Sequence, residues 1–314
     1  MTSSSLGDAF YWECAVIFIG VVGVAGNALI LYALVVSKQH KKHLLIVNQN
    51  VLDLFSSFFL IVVYAMRLCN IYLTGVLGYW VCVIVRGENI LWWTTNGSMV
   101  NLAVITIDRY LKVVHPIWSR KWLRPRVIYS AMAFSWFVGI VYNTLVVLYS
   151  AKLIDGVCHV YVFESDVANM ASVLWYILFF YFIILAIFIF CYGRILVAVR
   201  RQASVMASHN TGGGSSTAQT QSHQIQTNVI KTMILVSAFY ATAWLPYNVY
   251  SLFAATGIVA ATFGDSGYFA TSFLAFFYTS TNPFIYATKF DPVRRVLRKM
   301  IPCKRTVVQP VMYR

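Results

Sequence analysis

The sequence predicts an all-α membrane protein: a bundle of seven transmembrane helices with its N-terminus outside and a short amphipathic eighth helix inside. Composition, long apolar runs and the distribution of basic residues lead to this prediction. Of the 314 residues, 60% are hydrophobic and only 11% are charged, whereas about 25% of the residues in a soluble domain are charged. Lipid is therefore the expected solvent for most of the chain.

Seven apolar runs are long enough to cross a bilayer, which takes about 20 residues for about 30 Å of hydrocarbon. We number them spans 1 to 7, in chain order: 12–36, 44–68, 83–113, 127–150, 168–199, 227–256 and 267–288. The predicted domains are an outer N-terminal segment (1–11), a bundle (12–288) and a cytoplasmic eighth helix and tail (289–314). Between spans 5 and 6, the Gly/Ser/Thr/Gln-rich segment 203–224 is predicted to be a flexible third cytoplasmic loop.

The basic residues set the orientation, because Lys and Arg near span ends are retained in the cytoplasm. With the N-terminus outside, only Arg67, Arg86 and Lys152 of the 24 Lys and Arg residues lie outside. The net charge of +14 then forms a cytoplasmic surface against the anionic lipid bilayer, and no nucleic-acid partner is expected. No signal peptide is expected, because residues 1–11 contain no basic n-region.

Two of the six cysteines are predicted on the oxidising side of the membrane. Cys82 stands at the outer start of span 3, and Cys158 stands in the outer loop before span 5, so we expect a disulfide between them. The alternative is two unlinked thiols. Cys303 follows a basic amphipathic stretch just past span 7, which suggests reversible palmitoylation as a hypothesis.

Polar residues inside the spans mark a candidate site. A charge at mid-membrane costs about 2.5–3.5 kcal/mol on insertion scales, so an intramembrane acid indicates function. Asp53, in the stretch "NQNVLDLFSS", is such an acid, and Asn27, Ser98 and Asn282 lie at comparable depth in spans 1, 3 and 7. Together they are expected to hold a cation or a water cluster; the alternative is that they only join helices by hydrogen bonds.

Two prolines inside spans are candidate hinges. Pro246, in "ATAWLPYN", and Pro283, in "STNPFIYATKF", each remove a backbone donor and kink their helix. Trp244 stands two residues before the first kink, and Tyr286 stands three residues after the second. Many bundles contain such kinks without moving, so the prolines alone are only suggestive.

The cytoplasmic end of span 3 reads "NLAVITIDRYLKVVHP", in which Asp108, Arg109 and Tyr110 end a long apolar run. An arginine is chemically suited to this depth, because it stays charged and its long stem reaches water. Taken alone, the adjacent opposite charges would also fit an interfacial anchor pair.

The motifs taken together resemble those of rhodopsin-like (class A) G-protein-coupled receptors, in order and one set per span. The resemblance covers residues 12 to about 300, and "FDPVRRVLRKM" (290–300) resembles the family's eighth helix at the inner membrane surface. The motifs are Gly26-Asn27, "LDLF" around Asp53, "DRY" at 108–110, Trp136, "WLP" at 244–246 and "NPFIY" at 282–286.

The resemblance implies a multi-pass receptor of the plasma membrane that binds an extracellular ligand and catalyses nucleotide exchange on a heterotrimeric G protein, without being an enzyme in its own right. It implies that Asp108 restrains Arg109 at rest, and that Arg109 meets Tyr192 and Tyr286 when span 6 swings outward. Further implied switch residues are Tyr110, Trp244, Pro246, Asn282 and Pro283.

The resemblance also implies a sodium ion in the inactive state, bound by Asn27, Asp53, Ser98 and Asn282, and no other cofactor. Arrestin is implied as a partner that reads phosphates added to Ser and Thr of the 203–224 segment. The alternative is that this segment is a passive linker.

Three departures from the family pattern carry expectations of their own. Ile184 stands where span 5 usually has a proline, so we expect the usual bulge to be absent. Cys82 is two residues farther from Arg109 than usual, which predicts a bulge or a shift in outer span 3. Gln226 stands where some members have an acid, so no second ionic restraint on Arg109 is expected.

Residues in the outer half of the predicted bundle bear on the class of ligand. Leu91 stands where aminergic receptors have an aspartate, and Phe276 stands where opsins have their Schiff-base lysine, so both classes are disfavoured. A peptide is favoured, with a lipid or a small amine bound through Glu88 as the alternative. A transporter is disfavoured because repeated halves with interrupted helices are missing from the sequence. Candidate pocket residues are Glu88, Leu91, Trp92, Trp175, Tyr247, Tyr250 and Phe276.

Overall fold

A computed structural model describes residues 3–69, 72–210, 217–258 and 266–300. Spans 1, 2 and 4 are the helices Ser3–Val36, Leu44–Leu68 and Pro125–Ser150, and spans 6 and 7 are Thr217–Ala255 and Ser266–Lys289. Span 3 consists of Gly75–Val81, the π-helical turn Cys82–Arg86 and Asn89–Val114; span 5 consists of Asp166–Ile177, the π-helical turn Leu178–Phe182 and Ile183–Asn210. A short helix, Pro116–Trp122, follows span 3, and the eighth helix is Asp291–Met300.

The observed helices confirm the predicted spans and extend spans 1, 3, 5 and 6 the most. Span 1 begins at Ser3, so the 1–11 segment is largely a continuation of this helix. Helix also covers the chain as far as Asn210 and again from Thr217, so the prediction of a loop over all of 203–224 is wrong at both ends. Residues 211–216 lie outside the described part of the chain.

Lipid dictates this architecture, because backbone groups in hydrocarbon must be bonded within a helix. Within the part of the chain that the structure describes, four helices are long and apolar enough to cross a membrane on length and composition alone: Phe10–Val36, Leu44–Leu68, Pro125–Ser150 and Asp166–Gln202. Spans 3 and 7 carry more polar residues, such as Thr94, Asn101, Thr279 and Asn282, and these side chains are buried inside the bundle. Thr94, Asn101 and Asn282 form hydrogen bonds with span 2, and the Thr279 hydroxyl bonds a carbonyl of its own helix, which offsets the cost of their polarity.

Span 3 occupies the centre of the bundle and packs against spans 2, 4, 5 and 6. Its approach to span 4 depends on glycine: a Cβ on Gly139 would lie 2.2 Å from the Trp93 carbonyl oxygen and 3.0 Å from the Gly97 nitrogen. Any larger residue at 139 would push the two helices apart. This close packing holds span 3 in place beneath the outer cavity.

The outer end of span 3 contains the bulge that the position of Cys82 predicts. The turn Cys82–Arg86 is π-helical, and such a turn winds extra residues into a helix without ending it. The helix then breaks at Glu88, whose φ of 57° lies in the left-handed region. This break turns the Glu88 carboxylate toward the bundle interior, where the residue is 3% exposed.

Span 5 also has a bulge, so the expectation drawn from Ile184 is wrong. The π-helical turn Leu178–Phe182 ends two residues before Ile184. Two hydrogen bonds to span 6 stabilise it: Tyr240 donates to the Phe180 carbonyl oxygen, and Tyr181 donates to the Ala241 carbonyl oxygen at 3.0 Å. One side chain of span 6 and one side chain of the bulge therefore join the bulge to span 6.

A two-stranded antiparallel hairpin, Lys152–Ile154 paired with Val157–His159, covers the outer end of the bundle. Leu153 is the register partner of Cys158, and Cys158 is bonded to Cys82 with their Cα atoms 5.4 Å apart. The predicted disulfide is confirmed. It ties the hairpin to span 3.

Candidate ligand cavity and transmission core

A cavity of about 230 Å³ lies in the outer half of the bundle. Spans 3 to 7 and the outer loop after the hairpin all contribute to its wall. Its lining is dominated by aromatic rings with polar edges, which present apolar faces and a few hydroxyls to a ligand. The aromatic lining residues are Trp92, Tyr142, Tyr161, Phe163, Tyr176, Tyr247, Tyr250 and Tyr268.

The structure places three of the predicted pocket residues, Trp92, Tyr247 and Tyr250, in this wall. Leu91 and Phe276 are buried behind it; the Phe276 ring centroid lies 6.1 Å from that of Trp92. Both are core residues that support the wall.

The prediction for Trp175 is wrong. Its side chain is 54% exposed on the outside of the bundle and stacks on Phe179 at 4.9 Å. The next residue, Tyr176, lines the cavity instead. One step along a helix is about 100° of rotation, so a small error in helical phase exchanges an inward-facing ring for a lipid-facing one.

Glu88 is already bonded on both carboxylate oxygens. One oxygen pairs with the Arg67 guanidinium at 2.5 Å, and the other accepts a hydrogen bond from the Trp92 indole at 2.9 Å. Arg67 also lies over the Tyr64 ring, 4.7 Å from its centroid. The acid therefore fixes the Trp92 ring in the cavity wall and has no free oxygen for a ligand amine.

Trp92 connects the cavity to the middle of the bundle. Its ring centroid lies 6.0 Å from that of Trp244 and 5.9 Å from that of Tyr247. Trp244 is buried, and its ring also contacts Tyr240, which contacts Tyr278. A ligand that displaces Trp92 must therefore displace rings on span 6.

Asp53 lies at the centre of a buried polar cluster between spans 2, 3 and 7. Ser98 donates to one carboxylate oxygen at 2.5 Å, and Asn282 donates to the other at 2.7 Å. The Gln49 amide nitrogen lies 3.4 Å from both oxygens and donates to the Ser98 hydroxyl oxygen at 2.5 Å. Three predicted residues thus meet here, together with an amide that the sequence analysis missed.

Asn27 does not contact Asp53. Its amide donates to the carbonyl oxygens of Gly23 at 2.9 Å and Thr279 at 3.3 Å, and so joins span 1 to span 7. The missed residue, Gln49, carried a recognisable signal: it lies four residues before Asp53, and this spacing puts two side chains on one helix face.

The cluster continues to span 4 through side-chain amides. Asn101 donates to the Gln49 amide oxygen at 2.8 Å, and Asn48 donates to the Asn101 amide oxygen at 2.9 Å. The Trp136 indole donates to Asn48 at 3.0 Å. Gln49 therefore has both ends of its amide occupied and is fixed beside Asp53.

The oxygen atoms around Asp53 suit a small hard cation such as sodium, which prefers oxygen ligands. Asp53 and Ser98 supply a carboxylate and a hydroxyl, and the Asn282 amide oxygen is buried without a hydrogen-bond partner among the described residues. The Gln49 amide nitrogen, however, donates to the same Asp53 and Ser98 oxygens. A cation here would compete with that amide.

At the cytoplasmic end of span 3, Asp108 is shared between two cations. Its carboxylate lies 3.6 Å from Arg109 Nε but 2.8 Å from Lys112 Nζ. The Asp108–Arg109 ion pair that the implied restraint requires is therefore the longer of the two. Lys112 was overlooked although it stands one helical turn after Asp108, the spacing of a helical ion pair.

Tyr192 ties three spans together below the Asp53 cluster. Its hydroxyl hydrogen-bonds Thr106 of span 3 at 3.0 Å and Ser237 of span 6 at 3.1 Å. Tyr286 is fully buried, and its hydroxyl has no partner among the described residues. Tyr110 points elsewhere, since its hydroxyl lies 3.1 Å from His115 Nε2.

Both candidate hinge prolines lie inside helices, Pro246 in span 6 and Pro283 in span 7. Asn248 donates to the Trp244 carbonyl oxygen at 2.7 Å, which bonds a carbonyl close to the first kink. Cys303 and the side chains of Gln226 and of all Ser and Thr residues in 203–224 lie outside the described part of the molecule.

The bundle, its outer cavity and the polar core beneath it define a seven-helix transmembrane receptor. Residues 26–286 match the family model described as "7 transmembrane receptor (rhodopsin family)". The chain therefore belongs to the rhodopsin family of seven-transmembrane receptors, multi-pass proteins of the plasma membrane.

Relatives and a solved structure agree with this family. The chain is 26% identical to Melanopsin-B of Gadus morhua over 94% of its own length, but it spans about half (48%) of that protein. It is 26% identical to galanin receptor type 1 of Rattus norvegicus, with 90% of this chain and 80% of the receptor covered. It is also 26% identical to somatostatin receptor type 5 of Bos taurus, with coverage of 89% and 73%. The crystal structure of squid rhodopsin shares the fold, with a TM-score of 0.77, 18% identity and coverage of 96% and 87%.

Proposed function

We propose that this receptor binds an extracellular ligand in the aromatic cavity and catalyses nucleotide exchange on a heterotrimeric G protein. One observation carries the proposal: span 6 contacts both ends of the signalling path. Trp244 of span 6 packs against the cavity residue Trp92, and Ser237 of the same helix bonds Tyr192. Tyr192 in turn bonds Thr106, three residues before Arg109. A rotation of span 6 about Pro246 would break these bonds and open the cytoplasmic end.

The ligand we propose is a peptide that places an aromatic or amidated residue in the cavity. The described lining residues carry no charged side chain, and tyrosine rings and hydroxyls suit a neutral aromatic group. Both Glu88 oxygens are occupied, which disfavours the amine alternative. Two of the relatives are named as receptors for the peptides galanin and somatostatin, which supports this choice; Phe276 stands in place of a Schiff-base lysine.

Three further roles belong to the same proposal. Sodium is proposed as a modulator at Asp53, Ser98 and Asn282, in competition with Gln49. Arrestin is proposed as a partner of the phosphorylated 203–224 segment, and palmitoylation is proposed for Cys303. The first two roles follow from the family pattern, and the third follows from the basic amphipathic stretch that precedes Cys303.

Two tryptophans give a matched test of the ligand cavity. The receptor, reconstituted in nanodiscs with purified G proteins, is screened for nucleotide exchange against peptide and amine libraries. Trp92→Ala should lower the potency of an active peptide by about tenfold or more, the size expected for a buried aromatic anchor, whereas Trp175→Ala should leave it unchanged. Equal losses in the two variants, or activation by amines alone, would contradict the peptide cavity.

A further inference from the structure

We propose that a second cavity, at the cytoplasmic end of the bundle, binds the multiply phosphorylated headgroup of an anionic membrane lipid. This cavity, of about 720 Å³, lies between the end of span 1, the first cytoplasmic loop, the ends of spans 6 and 7 and the eighth helix. It is separate from the ligand cavity and from the Asp53 cluster. It is far larger than a single phosphate group requires.

Four cations line this cavity: Lys42, Lys289, Arg295 and Lys299. All four are exposed, and none of them forms an ion pair with another residue in the described part of the chain. They come from three separate elements, so the fold, and not one basic run, brings them together. Basic pockets beside transmembrane helices on the cytoplasmic side suit the phosphates of inositol lipids.

His43 lies in the same wall but does not add charge. Burial, followed by repulsion from nearby Arg109, Lys112 and Lys42, lowers the pKa of His43 to about 4. Asp108 opposes this shift only weakly. At neutral pH the imidazole is therefore uncharged, and its Nδ1 is buried without a partner among the described residues, so it can hydrogen-bond a headgroup hydroxyl or phosphate.

The surroundings of the cavity favour a lipid over a free phosphate compound. Tyr32 and Val36 of span 1 line it, and both are about half exposed on the surface of the bundle. Further up the same helix, Leu29 and Phe18 are exposed as well, in a position to contact acyl chains. A ligand with an anionic head and apolar tails therefore meets cations at the cavity and apolar side chains along span 1.

The cavity also touches the elements that the proposed switch would move. The buried Phe290 ring, which lines it, contacts His43 at 5.2 Å and Tyr286 at 6.3 Å between centroids. Asn228 of span 6 is part of the same wall. Since a displacement of span 6 would change this wall, we expect lipid affinity to differ between resting and active receptor.

The test measures lipid binding directly and does not depend on G-protein coupling. The receptor in phosphatidylcholine nanodiscs receives either a fluorescent phosphatidylinositol bisphosphate or phosphatidylserine at equal total charge, and binding is read by energy transfer. Lys42→Gln/Lys299→Gln should weaken inositol-lipid binding by about tenfold or more, because each basic residue near the surface contributes on the order of 1 kcal/mol. The control Arg120→Gln/Lys121→Gln, two exposed cations on the helix Pro116–Trp122, should change it less than twofold.

Three results would overturn the assignment. Equal losses in the two double variants would show a diffuse surface charge in place of a site. Equal binding of phosphatidylserine would exclude a preference for several phosphates. Soluble inositol trisphosphate that competes as strongly as the intact lipid would show that the acyl chains and span 1 contribute nothing. Melting temperatures within a few degrees of the parent establish that the variants are folded.

Discussion

The two buried acids at the ends of span 3, Glu88 on the outer side and Asp108 on the cytoplasmic side, are bonded differently. In the outer half, Glu88 has both oxygens bonded, by Arg67 and by the Trp92 indole. In the cytoplasmic half, Arg109 Nε lies 3.6 Å from the Asp108 carboxylate, which also pairs with Lys112. The Tyr286 hydroxyl has no partner among the described residues. The Glu88 carboxylate is therefore bonded at both oxygens, whereas Arg109 Nε and the Tyr286 hydroxyl retain unused hydrogen-bonding capacity among the described residues.

The difference in bonding between the two sites has a consequence for the free energy of each arrangement. A buried polar group without a partner costs about 1–3 kcal/mol, so an arrangement that leaves such groups unbonded competes with one that bonds them. The outer group of Glu88, Arg67 and Trp92, in which both carboxylate oxygens are bonded, is expected to act as a rigid frame beside the cavity. The cytoplasmic half is expected to rearrange, because new partners for Arg109 and Tyr286 would recover part of that cost.

The largest expected effect comes from the cytoplasmic half. Arg109→Ala should abolish ligand-driven nucleotide exchange at matched surface expression, because its only described ion pair is long and its proposed role is in coupling. Exchange is measured as GTPγS uptake, with Arg120→Ala as the exposed control. Full exchange by the Arg109 variant would remove this residue from the switch.

Glu88→Ala tests whether the outer group of Glu88, Arg67 and Trp92 is a rigid frame. The substitution leaves the Arg67 charge and the Trp92 N–H without a partner, and breaking a buried pair in this way costs about 3–5 kcal/mol. Because a quarter of Arg67 (26%) is exposed, we expect a loss near 3 kcal/mol in unfolding free energy. Unfolding in detergent is compared with Glu164→Ala, an exposed acid of the outer loop; equal stability of the two variants would rule out the frame.

Gln49→Leu sharpens the comparison inside the core. With the amide gone, the oxygens of Asp53 and Ser98 are free for a cation, and sodium should lower agonist affinity by about fivefold or more, a typical allosteric coupling. The parent should respond less. Adding Asp53→Asn to this variant should abolish the effect of sodium on agonist affinity. If the parent is as sensitive to sodium as the Gln49→Leu variant, Gln49 does not compete with the cation.

The smallest expected effect is on basal activity. Tyr192→Phe removes the hydrogen bonds to Thr106 and Ser237, each with a net contribution of about 1 kcal/mol, and should raise basal exchange by about threefold to tenfold. Tyr129→Phe, at an exposed position of span 4, is the control. Lower basal exchange in the Tyr192 variant would mean that this hydroxyl stabilises the active arrangement more than the resting one.

The sequence by itself determined the seven spans, their orientation and the family. Apolar runs report helices directly in a membrane, because lipid leaves the backbone no partner outside its own segment. Leu44–Leu68 was predicted with the bounds that the structure shows. The Cys82–Cys158 disulfide also followed from topology alone, since both cysteines had to lie on the oxidising side.

Tertiary structure decided which side chains meet. Trp175 and Tyr176 are both large aromatic residues of span 5. Only the rotation of the helix about its axis turns Trp175 toward lipid and Tyr176 toward the cavity. The bulge before Ile184 likewise depends on Tyr240 of another helix. Helix rotation and register are set by packing between segments distant in sequence, so the hydropathy of a single span does not contain them.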